Sequence, residues 1–310
     1  MINNMKKASC VLFLCMFFCI QNSIAQQNPE YTQYMYNTMM VNPGYTGSVG
    51  VLEANLLLRK QWVNIEGSPK TGTLGVHFPL TNRNIGLGFN IISDDLGPSS
   101  EQTLASNLSY AIDLNESAKL AFGMKAGVRM LNIDWSKGRF YDSDDVLLNT
   151  NVNNKFMGVL GAGAYLYSDK WYAGLSVPNF LRNDYYDDIQ ESVISDQLHY
   201  YFIGGYVFDL SDSVKFKPSV LVKAVKGSPL STDVSANFLL KEKLTLGASY
   251  RWDDSVSALA GFQISEGFFL GYSFDYTVTE LNKYNDGTHE IILRYQFTRK
   301  TSTIKSPRFF

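Results

Sequence analysis

Cysteine is absent from the sequence beyond residue 19: Cys10, Cys15 and Cys19 all sit in one apolar stretch near the start. Past that stretch nothing can form a disulfide, act as a thiolate or ligate a metal through sulfur. Charge is sparse, at 18% of residues. Long apolar runs are missing as well. No run of about 20 apolar residues follows the first 20 positions, which excludes a bundle of membrane-spanning helices. No stretch beyond residue 50 repeats at helical period, so an α/β enzyme is disfavoured. Histidine occurs three times, as His77, His199 and His289, on separate predicted strands and without ligand spacing. No Gly-x-Ser-x-Gly or Ser/His/Asp constellation is present, so no enzyme, cofactor or metal is expected. Weak net acidity gives no footprint for nucleic acid.

The first 25 residues read as a secretory signal. Lys6 and Lys7 precede the 13-residue apolar core "ASCVLFLCMFFCI", and Ser23 and Ala25 place cleavage after Ala25. Removing Lys6 and Lys7 leaves 25 basic groups against 29 acidic ones, a net charge of −4.

What the sequence has is aromatics, 14% of residues with 19 Tyr and 20 Phe, and alternation. In "THEIILRYQF", His289, Ile291, Leu293, Tyr295 and Phe297 share one face, and Glu290, Ile292, Arg294 and Gln296 the other. Similar runs begin near residues 51, 70, 84, 102, 118, 156, 170, 197, 213, 231, 243, 256, 267 and 288, about 14 in all. Many span about 9–13 residues, enough for a tilted outer-membrane strand. The even-numbered connections are short, as in "SDK" and "SEG". The long ones, 132–155, 178–196 and 279–287, are all odd. Short turns on one rim and long loops on the other predict an all-β transmembrane antiparallel barrel. Parity then puts both mature termini on the short-turn, periplasmic side of an outer membrane. The expected layout is signal peptide 1–25, N-terminal segment 26–50, barrel 51–298 and basic tail 299–310.

By phase, the inward face carries Arg59, Lys125, Arg129, Lys215, Lys217, Asp233, Arg251, Asp275, Glu290 and Arg294, with Glu53 and Lys223. Such a lumen of mixed charge is either a structural network or a pore lining. The segment 31–47, rich in Tyr, Met and Asn, is too apolar for a solvated leader and is expected to pack inside or against the periplasmic mouth. Glycine pairs such as Gly86/Gly88 and Gly161/Gly163 make a smooth strand face that an interior segment can approach. The acidic doublets Asp94-Asp95, Asp144-Asp145, Asp187-Asp188 and Asp253-Asp254 are expected in outer loops, without a Ca²⁺-loop pattern.

Three stretches, "QYMYNTMMVNPGYTGS" at 33–48, "RKQWVNIEGSPKTGTLGVHFPL" at 59–80 and "HEIILRYQF" at 289–297 with the "SPRFF" ending, resemble the PorP/SprF family. The resemblance implies a non-enzymatic outer-membrane barrel of the type IX secretion and gliding machinery. It also implies partners: the periplasmic ring, a peptidoglycan-binding component and, in some members, a secreted adhesin. Expected docking residues are Arg299, Lys300, Lys305, Arg308, Phe309 and Phe310 in the tail, and Tyr34, Asn42 and Pro43 in the segment. Two other readings stay open: a plugged channel or transporter for hydrophobic or small solutes, and an adhesin-like barrel using the loops at 132–155 and 178–196.

Overall fold

β-Branched and aromatic residues alternating with Gly, Ser, Thr and charged residues favour extended backbone with two unlike faces. The computed structural model, which describes residues 29–80, 84–138, 151–181 and 197–297, forms strands wherever that alternation occurs. They are β1 (Glu53–Lys60), β2 (Lys70–Pro79), β3 (Ile85–Leu96), β4 (Ser99–Asp113), β5 (Ala118–Ile133), β6 (Val152–Ser168), β7 (Trp171–Val177), β8 (His199–Tyr206), β9 (Phe208–Ser211), β10 (Val214–Val225), β11 (Ser231–Leu240), β12 (Leu244–Arg251), β13 (Ser255–Gln263), β14 (Phe268–Thr277) and β15 (Thr288–Gln296). β8 and β9 are one strand interrupted at Val207, and both pair with β10. The barrel is therefore fourteen-stranded and antiparallel.

It closes because β15 pairs with β1, from Glu53↔Gln296 to Lys60↔His289, and each neighbour follows in sequence order around the ring. Closure leaves no open sheet edge, a condition for crossing a bilayer with strands. No helix among the described residues is long and apolar enough to cross a membrane. The outward face is apolar: Leu58, Leu74, Ile91, Leu104, Leu108 and Met124 are all exposed. Exposed aromatics mark both rims, with Tyr110, Phe262 and Phe297 near the short turns and Tyr200, Trp252 and Tyr276 near the other end.

The connections are sorted less strictly than the sequence suggests. All six even-numbered turns are short. On the opposite rim, 97–98 and 252–254 are also tight, because β3 and β4 run on to Leu96 and Ser99. That extension places Asp94-Asp95 inside β3 rather than in a loop. Period two then sends the doublet to opposite faces, with Asp94 accepting from Thr71 Oγ1 at 2.5 Å. Asp253-Asp254 does lie in a turn, whereas 144–145 and 187–188 fall outside the described residues. β5 and β6, 16 and 17 residues long, also rise above the loop rim, where Leu131, Ile133 and Met157 form a second small apolar cluster.

The "QWVNIEGSPK" loop is held rather than free. Val63 N donates to Gly287 O at 2.9 Å and Asp286 N to Val63 O at 3.0 Å, locking this loop to the one between β14 and β15. Gly97 N donates to Gly67 O at 2.8 Å, so a third connection joins them. Gly67 has φ +73, which explains a glycine at that turn.

Candidate functional site

The main core of the molecule is the lumen, and residues 31–46 fill much of it. Tyr34, Met35, Tyr36, Met39, Met40, Val41 and Tyr45 are all buried there. Burying a side chain of that size contributes roughly 1.5–3 kcal/mol. The segment has no long regular element: three-residue 3₁₀ turns flank the four-residue helix Thr38–Val41. Its backbone groups therefore need partners on the wall.

The wall supplies them in three places. On the loop side, Arg59 of β1 lies 2.9 Å from both Glu290 of β15 and Asp275 of β14. The Glu290 carboxylate accepts from the backbone N–H groups of Thr32 at 3.0 Å and Gln33 at 2.8 Å. Thr32 Oγ1 donates to Asp275 Oδ2 at 2.7 Å and accepts from Arg59 at 2.9 Å. Charge-assisted bonds of this kind are the stronger class.

A few strands further round the same rim, Glu30 reaches the second cluster. Arg251 of β12 lies 3.0 Å from Glu30 and 2.8 Å from Asp233 of β11, and Lys223 of β10 also pairs with Glu30. Burial pushes the Glu30 carboxyl up, but Arg251 and Lys223 outweigh it and hold the group at about 2. On the turn side, Glu53 accepts from Gln296 Nε2 at 2.6 Å and lies 3.3 Å from His77 Nε2. Gly47 N donates to His77 Nδ1 at 3.2 Å, which leaves the proton of a neutral ring on Nε2, facing Glu53.

Between these clusters the backbones touch. A Cβ at Gly123 would fall 2.2 Å from Pro43 C, and one at Gly86 would fall 2.2 Å from Thr46 O. Asn42 caps the Pro43 turn by accepting from Gly44 N at 2.8 Å, and donates to Ala164 O at 3.1 Å. Gly163 lies beside it, where a Cβ would meet Asn42 Oδ1 at 2.3 Å; Gly161 instead faces Pro178 O. Tyr36 sits between two cations, with Lys217 Nζ 5.1 Å and Arg294 Cζ 5.3 Å from its ring centroid.

The inward residues named from the sequence thus divide. Arg59, Asp275 and Glu290 form one cluster, and Asp233 and Arg251 another. Lys217 and Arg294 flank Tyr36. Arg129 lies 3.7 Å from Glu101, and Lys125 is buried nearby. Lys215 is at the turn rim, 3.9 Å from Glu242, apart from the other clusters. Tyr34, Asn42 and Pro43 are buried against the wall, so they hold the segment and offer no outward surface. Positions 299–310, including Arg299, Lys300, Lys305, Arg308, Phe309 and Phe310, lie outside the described residues, as does the signal stretch 1–25.

The course of the segment bears on the parity reading of the termini. Parity places the ends of the strands, Glu53 and Gln296, on the same rim, and they are indeed paired there. The described chain nevertheless starts at the other rim. Glu30, Thr32 and Gln33 meet Arg59, Lys223, Arg251 and Glu290, all at the loop-side ends of their strands, and Gly47 reaches the turn side. The segment runs the length of the lumen, so strand parity says nothing about where it begins.

Sequence reasoning missed Glu30, Thr32, Gln33 and His77 as network members. The first three lie in a stretch without alternation and bond partners up to 258 residues away. For His77 the available signal was its phase, shared with Glu53 across the β1–β2 pair. Among the described residues no group of three His, Cys, Asp or Glu could hold a metal ion.

Fold and lumen together define an outer-membrane β-barrel with an occupied interior. Over residues 23–295 the chain matches the family described as type IX secretion system membrane protein PorP/SprF, and it belongs to that family. No curated protein matches it. Among solved structures it is similar to the outer membrane protein Omp33 of Acinetobacter baumannii, at 9% identity and TM-score 0.49 over 80% of this chain and 98% of that one. It is also similar to a Pseudomonas aeruginosa FadL homologue, at 11% identity and TM-score 0.47 over 90% and 96%. Likeness of that degree carries nothing about ligand or partner.

Proposed function

We propose that this barrel is a docking component of the type IX secretion machinery rather than an open pore. In this reading its turn rim faces the periplasm and meets the periplasmic ring and a peptidoglycan-binding component, and a secreted adhesin is a further partner. The observation that carries the reading is the capture of Thr32 and Gln33 by Glu290, together with the backbone contacts at Gly86 and Gly123. A segment held this way favours a closed lumen over a solute path, and membership of a secretion family supplies the context.

The tail at 299–310 is the proposed handle. Arg299, Lys300, Lys305 and Arg308 stand without an acidic residue among them, and Pro307, Phe309 and Phe310 add an apolar end. Charge can steer such a tail to a partner and burial can then hold it. The test is deletion of 299–310 in the native host, followed by cross-linking pull-down and a secretion assay. The barrel is expected to stay folded in the outer membrane while partner recovery and secretion fall. Unchanged recovery and secretion would move the interface to the turns, the segment or the outer loops.

A narrow recess between the segment and the wall favours the second reading, a plugged channel for small solutes. Conductance separates the two.

A further inference from the structure

Among the described residues, the buried cations of the lumen are compensated with one exception. Arg59, Arg129, Lys223 and Arg251 each have a carboxylate, and Lys217 and Arg294 face the ring of Tyr36. Lys125, at the middle of β5, is 4% exposed. Among the described residues no carboxylate stands within ion-pairing distance of its ammonium, and no acceptor within hydrogen-bonding distance. An ammonium largely withdrawn from water without a counter-charge is costly, and a barrel with so many acids in its wall had the means to provide one.

Lys125 is not walled in. It lines a narrow recess on the loop side, bounded by the segment at Tyr31 and Val41 and by the wall at Ile92, Thr103 and Val159. We propose that this recess is a binding site for a small organic monocarboxylate, whose charged group takes the place of the missing partner of Lys125. The ligand class follows from the lining. Asp94 and Glu101 border the same recess, so a dianion such as phosphate meets two like charges that a monoanion tolerates better. Ile92, Val41 and Val159 give apolar lining for a short hydrocarbon body, and Tyr31 and Thr103 also lie on its border. Arg129 also borders it but is engaged by Glu101, so Lys125 is the anchor. A free short-chain acid and the C-terminus of a peptide share this chemistry.

The test uses the full folded chain in detergent and ligand-observed NMR titration. The probes are butyrate, N-acetylalanine, butanol and inorganic phosphate. The wild-type protein is expected to bind one or both carboxylates saturably, and butanol and phosphate at least tenfold more weakly. N-acetylalanine binding tighter than butyrate assigns the source to a peptide terminus; the reverse order assigns it to a free acid. Lys125→Met is expected to weaken the carboxylate at least tenfold, in line with loss of a charged hydrogen bond, and Lys125→Arg to retain it. Unsaturable signals, butanol or phosphate binding as tightly as the carboxylates, or equal binding by Lys125→Met would each overturn the proposal. The wild-type comparison of butyrate with butanol decides the matter even where a variant does not fold.

Discussion

Single residues in this barrel matter according to whether they serve the segment or the surface. Glu290 accepts two backbone N–H groups and pairs with Arg59, all out of water. Glu290→Ala leaves Arg59 with Asp275 as its one close carboxylate and the N–H groups of Thr32 and Gln33 without their acceptor. It is expected to destabilise the folded barrel by about 3–5 kcal/mol in urea titrations from lipid vesicles. Lys170→Ala removes an equally short contact, 2.7 Å to Asp209, but one about half exposed, and should change stability by less than about 1 kcal/mol. Glu30 gives a pH signature. Its folded value of about 2 lies below the ordinary 4.5, so its contribution is complete above pH 4.5 and is lost as pH falls toward 2. Protease sensitivity of residues 29–47 should rise across that window in the wild type. In Glu30→Gln it should be raised already at neutral pH and lack this step.

At the scale of elements, strands and segment were not equally legible. Each strand announces itself locally, because period two lies in neighbouring residues such as Leu244, Leu246, Ala248 and Tyr250. The inward phase of Arg59, Asp275 and Glu290 followed from the same rule. Which of them meet did not, because β1 and β15 become neighbours only when the ring closes. The segment was visible only as an absence of alternation with too many aromatics for solvent. Its course, from Glu30 at one rim to Gly47 at the other, depends on contacts far apart in sequence. The glycine track was partly readable, since Gly86 and Gly163 sit where a side chain would collide with it, whereas Gly161 meets Pro178. Gly123→Val should therefore displace the segment and leave the strands intact. Residues 29–47 become protease-sensitive, while the barrel keeps its heat-dependent gel shift. The outward faces carry a separate prediction. Leu104→Arg, in the middle of the apolar band, should cost about 2–4 kcal/mol. Leu114→Arg, in a turn at the rim, should cost no more than about 1.

For the molecule as a whole, the barrel and its leading segment share one core. Wall clusters at both rims bond the segment's own groups, and the apolar core is shared between them. A transporter needs its plug to move. Here the segment's backbone lies against the glycines at 86 and 123, and Thr32 and Gln33 are held through charge-assisted bonds. In this reading residues 31–46 close the lumen. Planar-bilayer recording tests that, with the intact protein and a variant lacking residues 29–47 compared in one lipid. The intact barrel should give no sustained conductance and the deletion variant steady ohmic steps; a stable open pore in the intact protein would contradict it.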